Sequence, residues 1–343
     1  MKSYLRIVLG ALMLGGVLTS AVWAETRQIN LYSYRQPFLI QPLLEAFTAQ
    51  SGIKVNVVFA RKGMLERIKA EGANSPADAV LTVDIGRLSD MVDAGVLAPV
   101  KSKVLEANIP AAYRHPQGLW FGLTTRARIL FVSKDRVKPG EVASYENLAD
   151  PKLKGRVCIR SGKHLYNISL LASIILHKGE AAAESWLRGL KANLARKPQG
   201  NDRAQAKAVY EGVCDVGIAN TYYMGKMQTN DKKPEQKAWA EAVRVVFPNQ
   251  AGRGTHVNIS GAAVLKGSKR KADAIRLIEY LSSAPAQKIY AEQNFEYPVK
   301  AGVKLHPLVK SWGDFTPDSA NLSQISAHRA EAARLIDKTG FDH

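Results

Sequence analysis

The chain has 343 residues, with 48 Lys and Arg against 30 Asp and Glu, so its formal net charge at pH 7 is +18. Apolar residues make up 46 % of it, which is enough to build hydrophobic cores and excludes a disordered or fibrous protein. The basic residues are dispersed and no basic-aromatic motif accompanies them, which argues against nucleic-acid binding. An acidic membrane surface or an anionic ligand suits this charge better, and a generally basic surface without a dedicated partner is the alternative.

Residues 1–24 have the pattern of a secretory signal peptide. Lys2 and Arg6 give a basic start, residues 7–17 are apolar but too short to span a bilayer, and a cleavage point follows Ala24. Cleavage would lower the net charge from +18 to +16 by removing the two basic residues. We therefore expect an exported, periplasmic protein, without a lipid anchor because no cysteine lies near the cleavage point.

The rest of the chain alternates predicted strands and helices, and its length suits two domains. The first part has a βαβαβ order, which predicts a parallel sheet with right-handed crossovers. Apolar periodicity predicts strands at 28–33, 53–59 and 78–82, with helices at 37–48, 64–70 and 88–92.

A similar alternation restarts at residue 156. Two α/β lobes joined by extended crossovers would form a clamp around a cleft, and ligands of such sheets bind at the carboxyl ends of the strands. The predicted strands are 156–159, 216–219, 243–247 and 261–265, and the predicted helices are 166–176, 179–190, 202–211, one around 274–281, and 323–338.

The most distinctive motif is the tyrosine pair Tyr222-Tyr223, which follows the predicted strand 216–219. Within a strand the two rings would point to opposite faces, but on a turn that leaves the strand they could converge on the cleft. Phenolate is a hard oxygen donor, which suits highly charged hard cations. The alternative is that one ring packs in the core while the other covers it.

Two further segments lie near the same predicted cleft. Tyr34 follows the first strand, and Tyr166 lies on a helix that begins after Ser161 and Gly162. The start of that helix offers backbone amides to an anion. Four phenols and an anion site are therefore expected to meet, although Tyr34 could line the core and Tyr166 could pack on its own helix.

The only two cysteines are Cys158 and Cys214. Both lie in short apolar runs, and an exported pair often forms a disulfide. If the two runs are neighbouring parallel strands, a bridge is feasible, but spacing alone leaves free thiols as an alternative.

The order of elements and several strings resemble the periplasmic ferric iron-binding proteins of ABC importers, which are two-lobed type II periplasmic binding proteins. This resemblance covers nearly all of the mature chain, and the tyrosine pair is its most specific part. The matching strings are LYSYR at 31–35, ADAVLT at 77–82, GRV at 155–157, NTYY at 220–223 and HVNISG at 256–261. The lobes would then be 25–124 with about 250–304, and 125–249 with about 305–343.

The resemblance implies that Tyr222 and Tyr223 ligate Fe(III), with Tyr166 as a third phenolate. The chain departs from the family at Gln36 and Pro37, where many relatives carry a histidine ligand. Tyr34 is the nearest substitute for that ligand.

Family members complete the iron sphere with a synergistic anion such as carbonate, bicarbonate or phosphate. Arg126 and Arg128 lie on one face of a predicted strand, and Arg126, nearer the cleft, is the first candidate for the anion contact. Arg35 is the second candidate and Asn220 a weaker one. Two solvated arginines on an exposed face are the alternative, and His256 is interpreted as a structural histidine.

Other function classes fit the sequence less well. Hydrolase motifs and paired carboxylates beside a histidine are missing from it, so no enzyme is predicted. A carrier of the same fold for a polyamine, thiamine or an organic anion is the second alternative. The expected partners are ferric iron and an inner-membrane ABC permease, and the expected state is a monomer.

Overall fold

The computed structural model describes residues 27–343, so the predicted signal peptide lies outside the described residues. The nine strands of that part are β1 (Gln28–Ser33), β2 (Lys54–Phe59), β3 (Ala79–Thr82), β4 (Phe121–Ser133), β5 (Val157–Cys158), β6 (Val216–Asn220), β7 (Val243–Val246), β8 (Val257–Val264) and β9 (Tyr297–Pro298). None of the helices between residues 27 and 343 is long and apolar enough to cross a membrane.

The α-helices lie between these strands, and in several places two or three helices follow one another. They are α1 (Pro37–Ser51), α2 (Met64–Glu71), α3 (Ile85–Asp93), α4 (Lys103–Asn108), α5 (Leu165–Lys178), α6 (Glu180–Ala192), α7 (Asp202–Tyr210), α8 (Tyr222–Gln228), α9 (Glu235–Glu241), α10 (Lys271–Leu281), α11 (Ala284–Asn294), α12 (Pro307–Ser311), α13 (Leu322–Ala327) and α14 (Arg329–Lys338).

The strands form two halves that share the long strand β4. In the N-terminal half, β1 pairs in parallel with β2 and β3, as the βαβαβ order predicts, and β8 joins β3 to β4 in antiparallel orientation. In the C-terminal half, β4 pairs antiparallel with β6 and β7, and β5 runs parallel to β6. The sheet is therefore mixed, because every strand beside β4 runs against it.

β4 changes its partners along its length. Residues 121–127 pair with β8, whereas residues 128–133 pair with β6 and β7. A single strand thus connects the two halves, and the predicted first lobe boundary after residue 124 falls within it. The lobe boundaries themselves stay a prediction.

Local chemistry explains why α1 begins and ends where it does. Pro37 occupies its first position, where a missing N–H costs nothing, and Gly52 ends it with a left-handed φ of 69°. Its buried face, which includes Leu43 and Phe47, packs in an apolar core with Leu277 of α10. Residues 34–36, which line the main cavity, lie between β1 and this helix.

Cys158 and Cys214 form a disulfide, with Cα atoms 5.9 Å apart. The bridge is possible because β5 and β6 are adjacent parallel strands, with Val157 opposite Val216. It ties the segment before β6 to β5, and β6 leads directly into the tyrosine pair.

Several boundaries differ from the predicted ones. β8 spans Val257–Val264, so it begins four residues before the predicted strand 261–265. The predicted helix 323–338 is two helices separated at His328. Helices α4, α8, α9, α11 and α12 were not predicted, and α8 matters most because it contains the tyrosine pair.

Candidate functional site

The tyrosine pair lies at the start of a helix. β6 ends at Asn220, and α8 begins at Tyr222. Thr221 fixes the junction on β4, because its N–H donates to Ala127 O at 3.1 Å and its Oγ1 accepts from Ala127 N–H at 3.3 Å. The rings of Tyr222 and Tyr223 have centroids 4.4 Å apart and are tilted by 37°. Both therefore line one cavity.

Tyr166 brings a third phenol to this pair. It lies on the first turn of α5, where His164 caps the helix by accepting the Tyr166 N–H on Nδ1 at 3.3 Å. Its Oη is 3.1 Å from Tyr222 Oη, although the two residues are 56 positions apart in the chain. Three phenols from two helices thus meet at one point.

The cavity around these phenols, here called the tyrosine cavity, has a volume of about 570 Å³. Tyr34, which directly follows β1, lines it from the N-terminal half, and the Arg87 guanidinium lies 4.0 Å from the centroid of the Tyr34 ring. All four predicted tyrosines therefore face the same space. The charged residues that line it are Arg35, Arg126, Arg203, Lys226 and Glu296.

Arg126 and Arg128 are both 2 % exposed, so the alternative of two solvated arginines is wrong. Both terminal nitrogens of Arg128 are engaged: they donate to Asp202 Oδ2 at 2.6 Å, Asn220 Oδ1 at 3.1 Å and Asn167 Oδ1 at 2.7 Å. Arg126 lines the tyrosine cavity, and among residues 27–343 it donates only to a serine hydroxyl at 3.1 Å. Of the two, Arg126 has N–H groups left for an anion.

Arg35 also lines the tyrosine cavity, but its charge is already offset. Both of its terminal nitrogens donate to Glu296 Oε2, and the Thr124 hydroxyl donates to the same oxygen at 3.1 Å. Arg35 and Glu296 are 261 positions apart in the chain. Their pairing makes Arg35 a weaker anion contact than Arg126.

The structure places the other two predicted anion contacts elsewhere. Asn220 lies behind the cavity wall, where its Oδ1 accepts from Arg128 and its N–H donates to Asp202 Oδ2 at 2.8 Å. The amide of Gly162 is not open to an anion, because it donates to Asp342 Oδ1 at 2.7 Å. A carboxylate near the end of the chain thus occupies the predicted helix-start site.

His256 and Gln36 have different positions relative to the cavity. His256 is buried, with Nε2 3.1 Å from Ser169 Oγ, and burial lowers its pKa to about 4. It is not among the lining residues, which fits the predicted structural role. Gln36 does line the cavity, directly before α1, at the position where the resemblance leads one to expect a histidine.

Burial favours the protonated form of the Tyr222 and Tyr223 phenols. It raises the pKa of Tyr222 well above the usual value and the pKa of Tyr223 to about 12, and the nearby Tyr166 phenol adds to both shifts. Burial also raises the pKa of Tyr34, against a lowering by Arg87. Deprotonation at neutral pH therefore needs a strongly charged cation in the cavity.

Sequence reasoning missed three charged residues of the cavity. Lys226 lies one helical turn after Tyr222, a spacing that would have identified it if a helix had been assigned there. Arg203 directly follows Asp202 at the start of α7. The sequence predicts that a helix begins there, but nothing in it indicates that Arg203 lines the cavity. No local signal points to Glu296.

Comparison with known proteins shows which protein family the chain belongs to. The family model described as bacterial extracellular solute-binding protein matches residues 74–315, more than half of the chain. The chain therefore belongs to this family, whose members bind solutes and are not enzymes, as the sequence predicts.

Individual relatives within this family are named for iron uptake or ferric iron binding. "Iron uptake protein A1" of Synechocystis is 48 % identical over 92 % of this chain and 88 % of its own length. The ferric iron-binding protein A of Mannheimia haemolytica, solved in an open conformation, is 51 % identical with a TM-score of 0.88, covering 92 % and 99 % of the two chains. A Trichodesmium protein solved with iron and citrate is 48 % identical with a TM-score of 0.89 and the same coverage. The predicted two-lobed α/β fold and the predicted kinship are confirmed.

Proposed function

We propose that this protein is the periplasmic binding component of a ferric iron importer. The observation that carries the proposal is the convergence of Tyr166, Tyr222 and Tyr223 on one cavity beside Arg126. The names of the relatives, which refer to iron uptake and ferric iron binding, support it. Iron is the cargo, captured outside the inner membrane and passed to an ABC permease by a monomeric carrier.

Fe(III) suits three phenols chemically. It is a hard cation, and phenolate is a hard oxygen donor. Three phenolates neutralise its charge, which compensates for removing them and the metal from water. Tyr34, which lines the cavity from the N-terminal half, is the candidate for a fourth ligand. It would take the place of the histidine ligand that is expected at the position of Gln36.

A synergistic anion such as bicarbonate or carbonate would fill further positions of the metal. We assign its contact to Arg126, because a guanidinium can hold an oxyanion through two parallel hydrogen bonds and offset its charge. Arg35 is second, since Glu296 already engages it.

Other solutes fit this cavity less well. A polyamine or thiamine is a cation, yet the only carboxylate among the lining residues belongs to Glu296, which is paired with Arg35. An organic anion without iron would suit the arginines but would leave the phenols without a role. Colour separates this alternative, because phenolate bound to Fe(III) absorbs visible light.

The test is a visible titration of the purified protein with Fe(III) at several bicarbonate concentrations. We expect a charge-transfer band whose resistance to a competing chelator rises with bicarbonate. Arg126→Ala should lose that dependence. Arg126→Lys should restore it only in part, because an ammonium cannot donate two parallel hydrogen bonds to one oxyanion. A wild-type protein without the band would refute the iron site, whereas an unchanged bicarbonate dependence in Arg126→Ala would refute only the anion assignment.

A further inference from the structure

The N-terminal half has a strongly basic surface at the end opposite the tyrosine cavity. The parallel strands β1, β2 and β3 all begin there, and Tyr34 follows the other end of β1, whose six residues span about 20 Å. The sequence leaves the high positive charge of the chain without an assigned partner, and part of that charge is concentrated here. This surface, here called the basic face, carries the seven cations Arg27, Lys54, Lys69, Lys266, Lys269, Arg270 and Lys271.

Contacts between distant segments bring these cations together. Arg27 and Lys54 are neighbours, because the Lys54 N–H donates to Arg27 O at 2.9 Å. The loop between β8 and α10 reaches the start of β1, where the Arg270 guanidinium donates to a backbone carbonyl. The same loop lies beside Gly72, directly after α2, and the last turn of α2 carries Lys69. The seven cations therefore share one face although they come from four separate segments.

Two carboxylates next to this loop are already engaged. Asp273 pairs with Arg27, and Asp78 is buried beneath the loop, where its Oδ1 accepts from Ser268 Oγ at 2.7 Å. The five lysines of the basic face are all exposed, and none of them makes an ion pair within residues 27–343. Their charge is therefore available to an external anion.

The start of α10 adds to this positive charge. Backbone amides at the start of a helix carry a partial positive charge, so acidic residues are favourable there and cations are not. Lys269 and Arg270 nevertheless precede α10, and Lys271 is its first residue, without a side chain that caps the helix. The acidic residue of that turn, Asp273, is paired with Arg27. Binding of an anion accounts for this placement better than the stability of the helix does.

The composition of the basic face fits a membrane better than a folded protein partner. Interfaces between proteins usually have an apolar or aromatic centre surrounded by polar residues. None of the exposed large hydrophobic side chains of the described residues belongs to the segments that form this face. Those side chains are Phe38, Val104, Tyr210 and Val213. Flexible lysines can contact the phosphates of lipid headgroups without a fixed geometry.

We propose that the basic face binds the phosphate groups of an anionic phospholipid membrane. Clusters of about four to eight Lys and Arg are typical of surfaces that bind anionic lipids. The tyrosine cavity lies at the opposite ends of the strands, so it stays open to the solvent while the protein is on the membrane. The inference goes beyond the proposed function and does not depend on the iron site.

The test is sedimentation of the purified protein with lipid vesicles at low and high salt. The vesicles consist of phosphatidylcholine alone or of an equal mixture with phosphatidylglycerol. Lys269→Gln/Lys271→Gln removes two charges of the basic face. Lys152→Gln/Lys154→Gln is the matched control, because it removes two exposed lysines at the same spacing from the C-terminal half. Denaturant unfolding checks that both variants are as stable as the wild type.

The wild type should bind only the vesicles with phosphatidylglycerol and should dissociate from them as the salt concentration rises. Lys269→Gln/Lys271→Gln should weaken this binding by about tenfold or more, and the control should weaken it by less than about threefold. Equal losses for the two variants, or a wild type that does not bind the anionic vesicles, would overturn the proposal.

Two competitors separate the membrane from other anions. Soluble phosphate and poly-glutamate are each added at an ionic strength at which chloride leaves the protein on the vesicles. Retention on the vesicles is the result expected for a membrane-binding face. Displacement by phosphate would assign the face to a free phosphate, and displacement by poly-glutamate would assign it to an acidic protein. Either displacement would overturn the proposal.

Discussion

The two walls of the tyrosine cavity are built differently. The C-terminal wall presents Tyr166, Tyr222 and Tyr223, and behind it Asp202 accepts from Arg128 at 2.6 Å and from Arg160 at 2.8 Å. The N-terminal wall presents Tyr34, Arg35 and Gln36, whose polar groups already have neighbours of their own: Arg87 over Tyr34 and Glu296 on Arg35.

This difference suggests a division of labour. The C-terminal wall holds three phenols on a buried ionic support, whereas the N-terminal wall offers one phenol and a neutralised arginine. We therefore expect the C-terminal wall to supply most of the affinity for iron and the N-terminal wall to cover it.

The largest effect is expected from breaking the ionic support. Asp202→Asn would leave Arg128 and Arg160 without their buried carboxylate, and removing one partner of a buried ion pair costs about 3–5 kcal/mol of unfolding free energy. Denaturant unfolding of the iron-free protein measures it. The control is Asp231→Asn, whose exposed carboxylate pairs with Lys237 and should not matter measurably. Equal stability of Asp202→Asn and the wild type would show that the support is not needed.

The next prediction compares how much each wall contributes to the affinity for Fe(III). Tyr222→Phe removes a phenolate at the centre of the C-terminal wall and should weaken Fe(III) binding by about 100-fold or more, because a metal loses an anionic ligand and gains an uncompensated charge. Tyr34→Phe is the matched change on the N-terminal wall and should cost less than about tenfold. Competition with a chelator, followed in the visible band, measures both. Similar losses for the two variants would contradict the division of labour.

The last effect is a pH dependence that belongs to the C-terminal wall. Burial raises the pKa of Tyr223 to about 12 and that of Tyr222 further above its usual value, so iron must displace a proton from each. Protons therefore compete, and affinity should fall as the pH falls, by up to about tenfold per pH unit for each phenol. Chelator competition between about pH 8 and 6, corrected for the chelator's own protonation, measures it. An affinity independent of pH would mean that no phenol loses its proton on binding.

The sequence predicts the framework of this site better than its electrostatics. Local periodicity locates β1, β3 and β6, and the rule that ligands bind at the carboxyl ends of strands brings Tyr34 and Tyr222 to one cleft. Alternation also places Arg126 and Arg128 on one face of β4. These inferences use only neighbours in the chain.

What the sequence could not predict depends on distant partners. Whether Arg126 or Arg128 stays available depends on Asp202, which is 74 positions from Arg128. The amides at Gly162 would be open to an anion if Asp342, 180 positions away, did not occupy them. Side-chain pairing across such separations leaves no periodic signal.

The central claim is that iron sits on the C-terminal wall. An anomalous difference map from a crystal of the iron-loaded protein, recorded at the iron edge, tests it most directly. We predict one strong peak within bonding distance of the phenolic oxygens of Tyr166, Tyr222 and Tyr223. A peak away from these three oxygens, or one held by Tyr34 without the tyrosine pair, would contradict it.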